Sequence, residues 1–289
     1  WAATDNSLRA HYLEIVGDKI VAISGEGRTI YFEKKNIFKD KLIQKEISNN
    51  IKEILHQSEI KLVGIRDLFI KDEKVYISLI FKNLKGYSIN IYKADLNFKK
   101  IKFKLFFETN EYWNIYNVFS GGRISEYKNN KILFSVGYAA VKDVAQSLDS
   151  LLGKIISIDK ESGEHKIVSL GHRNPQGLYY DRDLDVIINT EHGPKGGDEI
   201  NVNFVTNNKI PNFGWDVSSY GIEYDGTKYK ETHAEYGFIE PLKYYVPSIG
   251  ISELVYLSNK SNTDGEKNLF VSSLRAGSIY VIKVNKKLN

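Results

Sequence analysis

Apolar residues fall in short runs rich in Ile, Val, Tyr and Phe, broken by Gly, Asn, Asp and Lys. Typical stretches are HYLEIVGDKIVAISGEGRTIYFEK, GLYYDRDLDVIINTEHG and KNLFVSSLRAGSIYVIKV. Each reads as a strand, a tight polar turn and a returning strand. Period-two alternation runs through Lys74–Leu79 and again through Ile279–Val284. Helical periodicity is nearly absent, and the one helix-like piece is Ile47–His56, in a Lys-rich insert. The strand pairs fall into about five groups, residues 8–35, 60–105, 118–160, 166–205 and 240–285. That spacing suits the blades of a β-propeller, and the pattern suits a double-sheet sandwich equally well. No linker interrupts the chain, so residues 1–289 are expected to form one domain, with 206–240 as an insertion within it.

Composition narrows the function. The 289 residues can bury a full core. A net charge of +4, spread over scattered lysines, reads as solvated surface rather than a nucleic-acid footprint. KKIKFK (99–104) alternates charged and apolar residues as a half-exposed strand does. The absence of cysteine excludes disulfides, thiolate nucleophiles and Cys-ligated metals. No apolar run approaches the roughly 20 residues of a membrane helix, so no membrane span is expected. The chain opens at Trp1 with no visible secretory leader, and a start segment is expected to be missing there.

Candidate chemistry concentrates between Leu170 and Asn203, where two polar, Gly/Pro-bent clusters bracket the apolar stretch GLYYDRDLDVIINT. In HRNPQG, Arg173 offers a permanently charged fork suited to carboxylates, and Asn174 and Gln176 add donors and acceptors. In EHGPKGGDE, Glu191, His192, Asp198 and Glu199 surround a bent loop that exposes backbone carbonyls. Hard cations such as calcium take carbonyl and carboxylate oxygens. One cluster is therefore suited to an anion and the other to a cation, although β-turns draw on the same residue types. His11, His56, His165 and His233 have no metal-ligand spacing. Of the tryptophans Trp1, Trp113 and Trp215, the last reads as core or rim packing.

LGHRNPQGL, EHGPKGGDEIN and NFGWDVSSYGIEYDG, in this order, resemble the soluble quinoprotein glucose and aldose sugar dehydrogenases. SGGRI (120–124), SLLGKIISID (150–159), YYVPSIGISELVYL and NLFVSSLRAGSIYVIKV extend the resemblance over about residues 118–285. The resemblance implies an all-β, six-bladed propeller with about five blades in this sequence. It implies pyrroloquinoline quinone (PQQ) and Ca2+ as cofactors, and hydride transfer from sugar C1 to the quinone. Carried over by motif, Arg173, Asn174, Gln176, His192 and Arg275 would line or bind the cofactor. The carbonyls of Gly193 and Pro194 would hold the calcium. Partners would be a small-molecule sugar and an electron acceptor, and the location periplasmic or secreted.

Three departures are visible. The family's catalytic histidine stands four residues before the arginine of the Gly-Arg motif, and that position is Phe119. Phenylalanine accepts no proton, and neither Asn117 nor Ser120 is a base at neutral pH. Gly137–Tyr138 stands where family members commonly carry Gly-Asp. The Arg-x-Arg pair of the family's sixth blade is also not found, and a sixth blade is expected to be missing sequence. The alternative is a non-catalytic propeller that binds a sugar, another ligand or a protein partner. Phe119 and Tyr138 filling the pocket would favour it, and a second histidine or carboxylate reaching the pocket would favour catalysis.

Overall fold

The computed structural model describes residues 10–40, 42–116, 119–205, 209–258, 267–284 and 288. Trp1 and Asn117, both weighed above, lie outside this set. The chain divides into two compact units, Trp1–Val118 and Phe119–Asn289.

The first unit holds β1 (His11–Val16), β2 (Lys19–Ser24), β3 (Thr29–Glu33), β4 (Lys45–Asn49) and α1 (Ile51–Gln57), then β5 (Lys61–Lys71), β6 (Lys74–Asn83), β7 (Gly86–Asp95), β8 (Lys100–Ile101) and β9 (Lys104–Glu108). One sheet runs β1-β2-β3-β4-β8 and the other β5-β6-β7-β9. The helix is shorter than the pattern suggests. Ile47 lies in β4, and Asn49 Oδ1 accepts from Ile51 N at 3.1 Å where the helix begins. Ile47 and Ile51 still share one core, with Val21, Ile23, Ile65 and Ile77. The alternation read in Lys74–Leu79 does not place one face in water. Tyr76 and Ser78 are as buried as Val75 and Ile77, so β6 is covered on both faces. In KKIKFK the alternation holds, with Ile101 and Phe103 buried and the lysines out.

The second unit holds β10 (Gly121–Tyr127), β11 (Lys131–Val136), β12 (Lys154–Asp159), β13 (His165–Leu170), β14 (Pro175–Asp181), β15 (Val186–Glu191), β16 (Asp198–Phe204), β17 (Lys243–Tyr245), β18 (Ile251–Ser258), β19 (Lys267–Ser273) and β20 (Ser278–Val284). They form three antiparallel meanders, β10–β13, β14–β17 and β18–β20. The groups expected from sequence differ from the sheets at their ends: Lys100–Ile101, in the second group, belongs to the first sheet, and Lys243–Tyr245, in the fifth, to the sheet before it. His165–Leu170 pairs with β12 and closes the earlier sheet. Residues 206–240 lead to β17, the outer strand of the next one. Local pattern cannot assign a strand to its sheet, because the turns within and between sheets use the same residues.

Within this unit the first strands β10, β14 and β18 pack side by side. Gly177 permits the β14–β18 approach, since a Cβ there would lie 2.8 Å from Leu254 N. The middle strand β15 is buried on both faces. Val186 and Ile188 join a core with Leu254, Leu269 and Val271, while Ile187 joins Leu133, Ile155 and Leu178. That explains the unbroken Val-Ile-Ile run. Lys154 is buried, and its ammonium donates to the carbonyls of Val144 (3.0 Å), Ala145 (3.1 Å) and Leu152 (2.7 Å).

Ile188→Ala should destabilise the second unit by about 2–5 kcal/mol through the cavity it leaves. Val255→Ala, at a half-exposed position, should change stability by no more than about 0.5 kcal/mol. Chemical denaturation followed by tryptophan fluorescence checks both, with Trp215 as the reporter in this unit.

Candidate functional site

Antiparallel pairing answers why two polar clusters bracket one apolar stretch. Pro175 opposes Glu191 and Glu191 opposes Glu199, so HRNPQG and EHGPKGGDE meet at one edge of the β14–β15–β16 sheet. Each first strand of this unit also bulges near its start, between Gly121 and Ile124, Pro175 and Gly177, and Ile251 and Leu254. Bulges re-aim side chains and recur next to functional sites. Arg123 and Glu253, from the bulges of β10 and β18, form an ion pair.

Glu191 is the organising anion. Its carboxylate accepts from His172 Nδ1, from Arg173 N at 2.7 Å, from Asn189 Nδ2 at 2.8 Å and from Asn201 Nδ2 at 3.4 Å. Ser169 Oγ lies 2.7 Å from the other ring nitrogen of His172. Burial works to raise the Glu191 pKa, but the charge and hydrogen bond of His172 and the donors from Arg173 and Asn189 outweigh it and hold it below the ordinary value.

Arg173, buried, donates from Nη1 to His192 O at 3.0 Å. Its guanidinium lies 4.4 Å from the ring centre of Phe119, 5.0 Å from Trp215 and 5.8 Å from Tyr138. Such faces attract a cation by their quadrupole. Phe119 and Tyr138 stack on each other at 5.9 Å. Arg173 Nε is buried without a hydrogen-bond partner. Asn174 turns toward the sheet, where its Oδ1 accepts from Gly121 N (3.1 Å) and Gln176 Nε2 (2.9 Å).

The loop after β15 is drawn tight. A Cβ on Gly193 would lie 2.2 Å from Gly197 O and 2.4 Å from Gly196 O, so only glycine fits. Asp198 accepts from Gly193 N (3.0 Å) and from Ile251 N (2.9 Å), which ties the loop to β18. His192 Nε2 is buried with no hydrogen-bond partner. Burial pulls the His192 pKa down, and the charge of Arg173 adds to this against the opposing pull of Asp198. Ser248 connects this loop to Arg275. Its Oγ donates to Pro194 O at 3.5 Å, and its carbonyl accepts from Arg275 Nη1 at 3.0 Å. Among the described residues no group of three His, Asp or Glu side chains is placed to hold a metal ion, so a cation here would depend on backbone carbonyls.

Arg173, His192, Glu199, Trp215, Ser219 and His233 line a cavity at this edge. His233 is among them although its place in the sequence has no metal-ligand spacing. It arrives on a short 3-10 turn (His233–Tyr236) in the long connection to β17. The neighbouring FGWDVSSYG motif was the one signal that this connection reaches the site. Burial raises the Glu199 pKa well above the ordinary value, and the nearby Glu191 adds to it.

Five separate sheets, antiparallel apart from the β4–β8 pair, exclude the double-sheet sandwich, and the fold is that of a β-propeller. A solved glucose dehydrogenase superposes with a TM-score of 0.77, at 21% identity, over 96% of this chain and 84% of that one. The PQQ-bound aldose sugar dehydrogenase of Streptomyces coelicolor superposes with a TM-score of 0.66, at 17% identity, over 95% of this chain and 77% of that one. The chain belongs to the glucose/sorbosone dehydrogenase family, whose model matches residues 36–289. It is 31% identical over 180 residues to the aldose sugar dehydrogenase YliI of Escherichia coli K12, across 57% of this chain and 47% of that protein. The chain spans about half the length of the curated relatives it matches.

The raised pKa of Glu199 has a definite sign in stability. The folded state keeps a proton that the unfolded chain releases, so stability is fully present below the ordinary Glu value and is lost as pH rises through the raised one. Glu199→Gln should flatten that decline, as read from denaturation midpoints across neutral and alkaline pH.

Proposed function

We propose that this chain carries the cofactor and sugar site of a PQQ- and calcium-dependent aldose dehydrogenase, acting in the periplasm or outside the cell. The observation that supports this best is the conjunction, at one sheet edge, of a carbonyl-rich loop and an arginine with an unsatisfied buried nitrogen. The residues fit the cofactor pair by their donor chemistry. The carbonyls of Gly193 and Pro194 are the hard oxygens calcium takes. Arg173 and Arg275 supply positive charge for an acidic quinone, and the buried, unpartnered Nε2 of His192 supplies a polar contact. When bound, calcium would polarise a quinone carbonyl and the quinone would accept the hydride from sugar C1.

The chain's own residues do the rest. Glu191 fixes the Arg173 backbone through its amide. Phe119, Tyr138 and Trp215 flank the guanidinium and keep water from its faces. Asn174 and Gln176 brace the turn that carries it. The proton of the sugar hydroxyl cannot go to Phe119. That residue, stacked with Tyr138 against Arg173, favours a second reading in which the site binds a sugar, another ligand or a protein partner without oxidising it.

Titration of the protein with PQQ, with and without calcium, followed by addition of aldoses, separates the readings. The dehydrogenase reading expects calcium-dependent saturable binding and sugar-driven bleaching of the quinone absorbance. The second reading expects no bleaching. Arg173→Ala should weaken PQQ binding by about 1.5–3 kcal/mol, the range for a hydrogen bond to a charged group. Phe119→His should raise turnover by about two to four powers of ten, the usual contribution of a positioned base. A Phe119→His protein that binds PQQ but turns over no faster would argue against that position as the missing base.

A further inference from the structure

Glu191 and Glu199 line the cavity and Asp198 precedes Glu199 in β16; Glu191 and Asp198 are fully engaged. Glu191 already receives four donors, and Asp198 receives the amides of Gly193 and Ile251. Glu199 differs. Its Oε2 accepts from Asn201 Nδ2 at 3.3 Å, while Oε1 faces His233 Nε2 at 3.5 Å. The opposite ring nitrogen of His233, Nδ1, is buried without a hydrogen bond and faces Glu240 Oε2 at 4.0 Å. Glu240 reaches solvent, its side chain 36% exposed against 1% for His233. Tyr220 Oη donates to Glu240 Oε2 at 2.7 Å and Ala234 N to Oε1 at 2.8 Å, so its carboxylate is held in place.

We infer that Glu199, His233 and Glu240 form a proton path between the cavity and solvent. The contacts join them in order, with the carboxyl of Glu199 and the imidazole of His233 both at the cavity wall and the solvent-reaching carboxylate of Glu240 on the other ring nitrogen. Contacts of this kind are often long in an empty site and tighten on ligand binding. The charged surroundings suit the task. Burial favours the protonated form of Glu199, and the charges of Glu191, Glu240 and Asp198 add to it against the hydrogen bond from Asn201. Tyr220 packs its ring 5.3 Å from that of His233. Burial keeps His233 neutral against the pull of Glu240 and Glu191. A neutral imidazole has one lone pair and one N–H, which is what a relay needs.

The transfer balances. The Glu199 O–H bond breaks as Nε2–H forms, and Nδ1–H breaks as the Glu240 Oε2–H forms. Glu240 then releases the proton to water, and Glu199, now a carboxylate, can take a proton from a hydroxyl in the cavity. The path rests on the dehydrogenase reading only for the origin of that proton, since oxidation of a sugar hydroxyl must release one and Phe119 cannot receive it.

The test needs no cofactor. Infrared spectroscopy of the protein as it stands should reveal a protonated-carboxyl band at neutral pH that disappears in Glu199→Gln. On transfer to D2O that band shifts at the rate at which the buried proton exchanges. Glu240→Gln, a surface change that keeps an oxygen for the Ala234 amide and offers Tyr220 Oη an NH2 donor in place of its acceptor, should slow the shift by about a hundredfold, and His233→Phe should do the same. No Glu199-dependent band at neutral pH, or exchange unchanged in a folded Glu240→Gln protein, overturns the path. Failure of PQQ to bind would remove the dehydrogenase reading and leave this measurement intact. If PQQ and sugar do turn over, Glu240→Gln should lower kcat and enlarge the solvent isotope effect with KM unchanged.

Discussion

One buried carboxylate sets the geometry of this edge. Glu191 gathers a ring, a backbone amide and two side-chain amides from β15, β16 and the turn before β14. An ionised carboxylate this deep is tolerable only when its lone pairs are filled by donors. Removing it would strand His172 and free the Arg173 backbone together. The position of the arginine therefore follows from the requirements of the glutamate, and those of His192 and Gly193 follow from being next in the chain.

The aromatic surround of Arg173 gives Phe119 a physical role. A histidine at that position brings a proton acceptor; the phenyl ring brings a face to a guanidinium whose Nη1 donates to His192 O and whose Nε is buried without a partner. Trp215 and Tyr138 share the task. On the dehydrogenase reading, the residue that cannot serve as the base is thus the one that packs the cation.

Much of this was legible in the chain. The strand-turn-strand pattern marked the sheets, and the two Gly/Pro clusters marked the edge, because turn chemistry is local and leaves a local signature. Which sheet each strand joins was not legible. His165–Leu170 looks like the start of a group and is the end of one, since pairing is decided by packing rather than by periodicity. The double-sided burial of β6 was not legible, because the polar atoms of Tyr76 and Ser78 imitate a wet face. His233 and Glu240 come from a connection with no repeating pattern, and nothing short of the folded chain places them beside Glu199.

Lys154 has a consequence for how ion dependence is read. Its ammonium sits among three carbonyl oxygens, the kind of surroundings that elsewhere would hold a bound cation. Here the charge is covalently attached, and chelators cannot extract it. These three carbonyls therefore hold no metal for EDTA to remove, and an effect of a chelator on this protein would have to arise elsewhere.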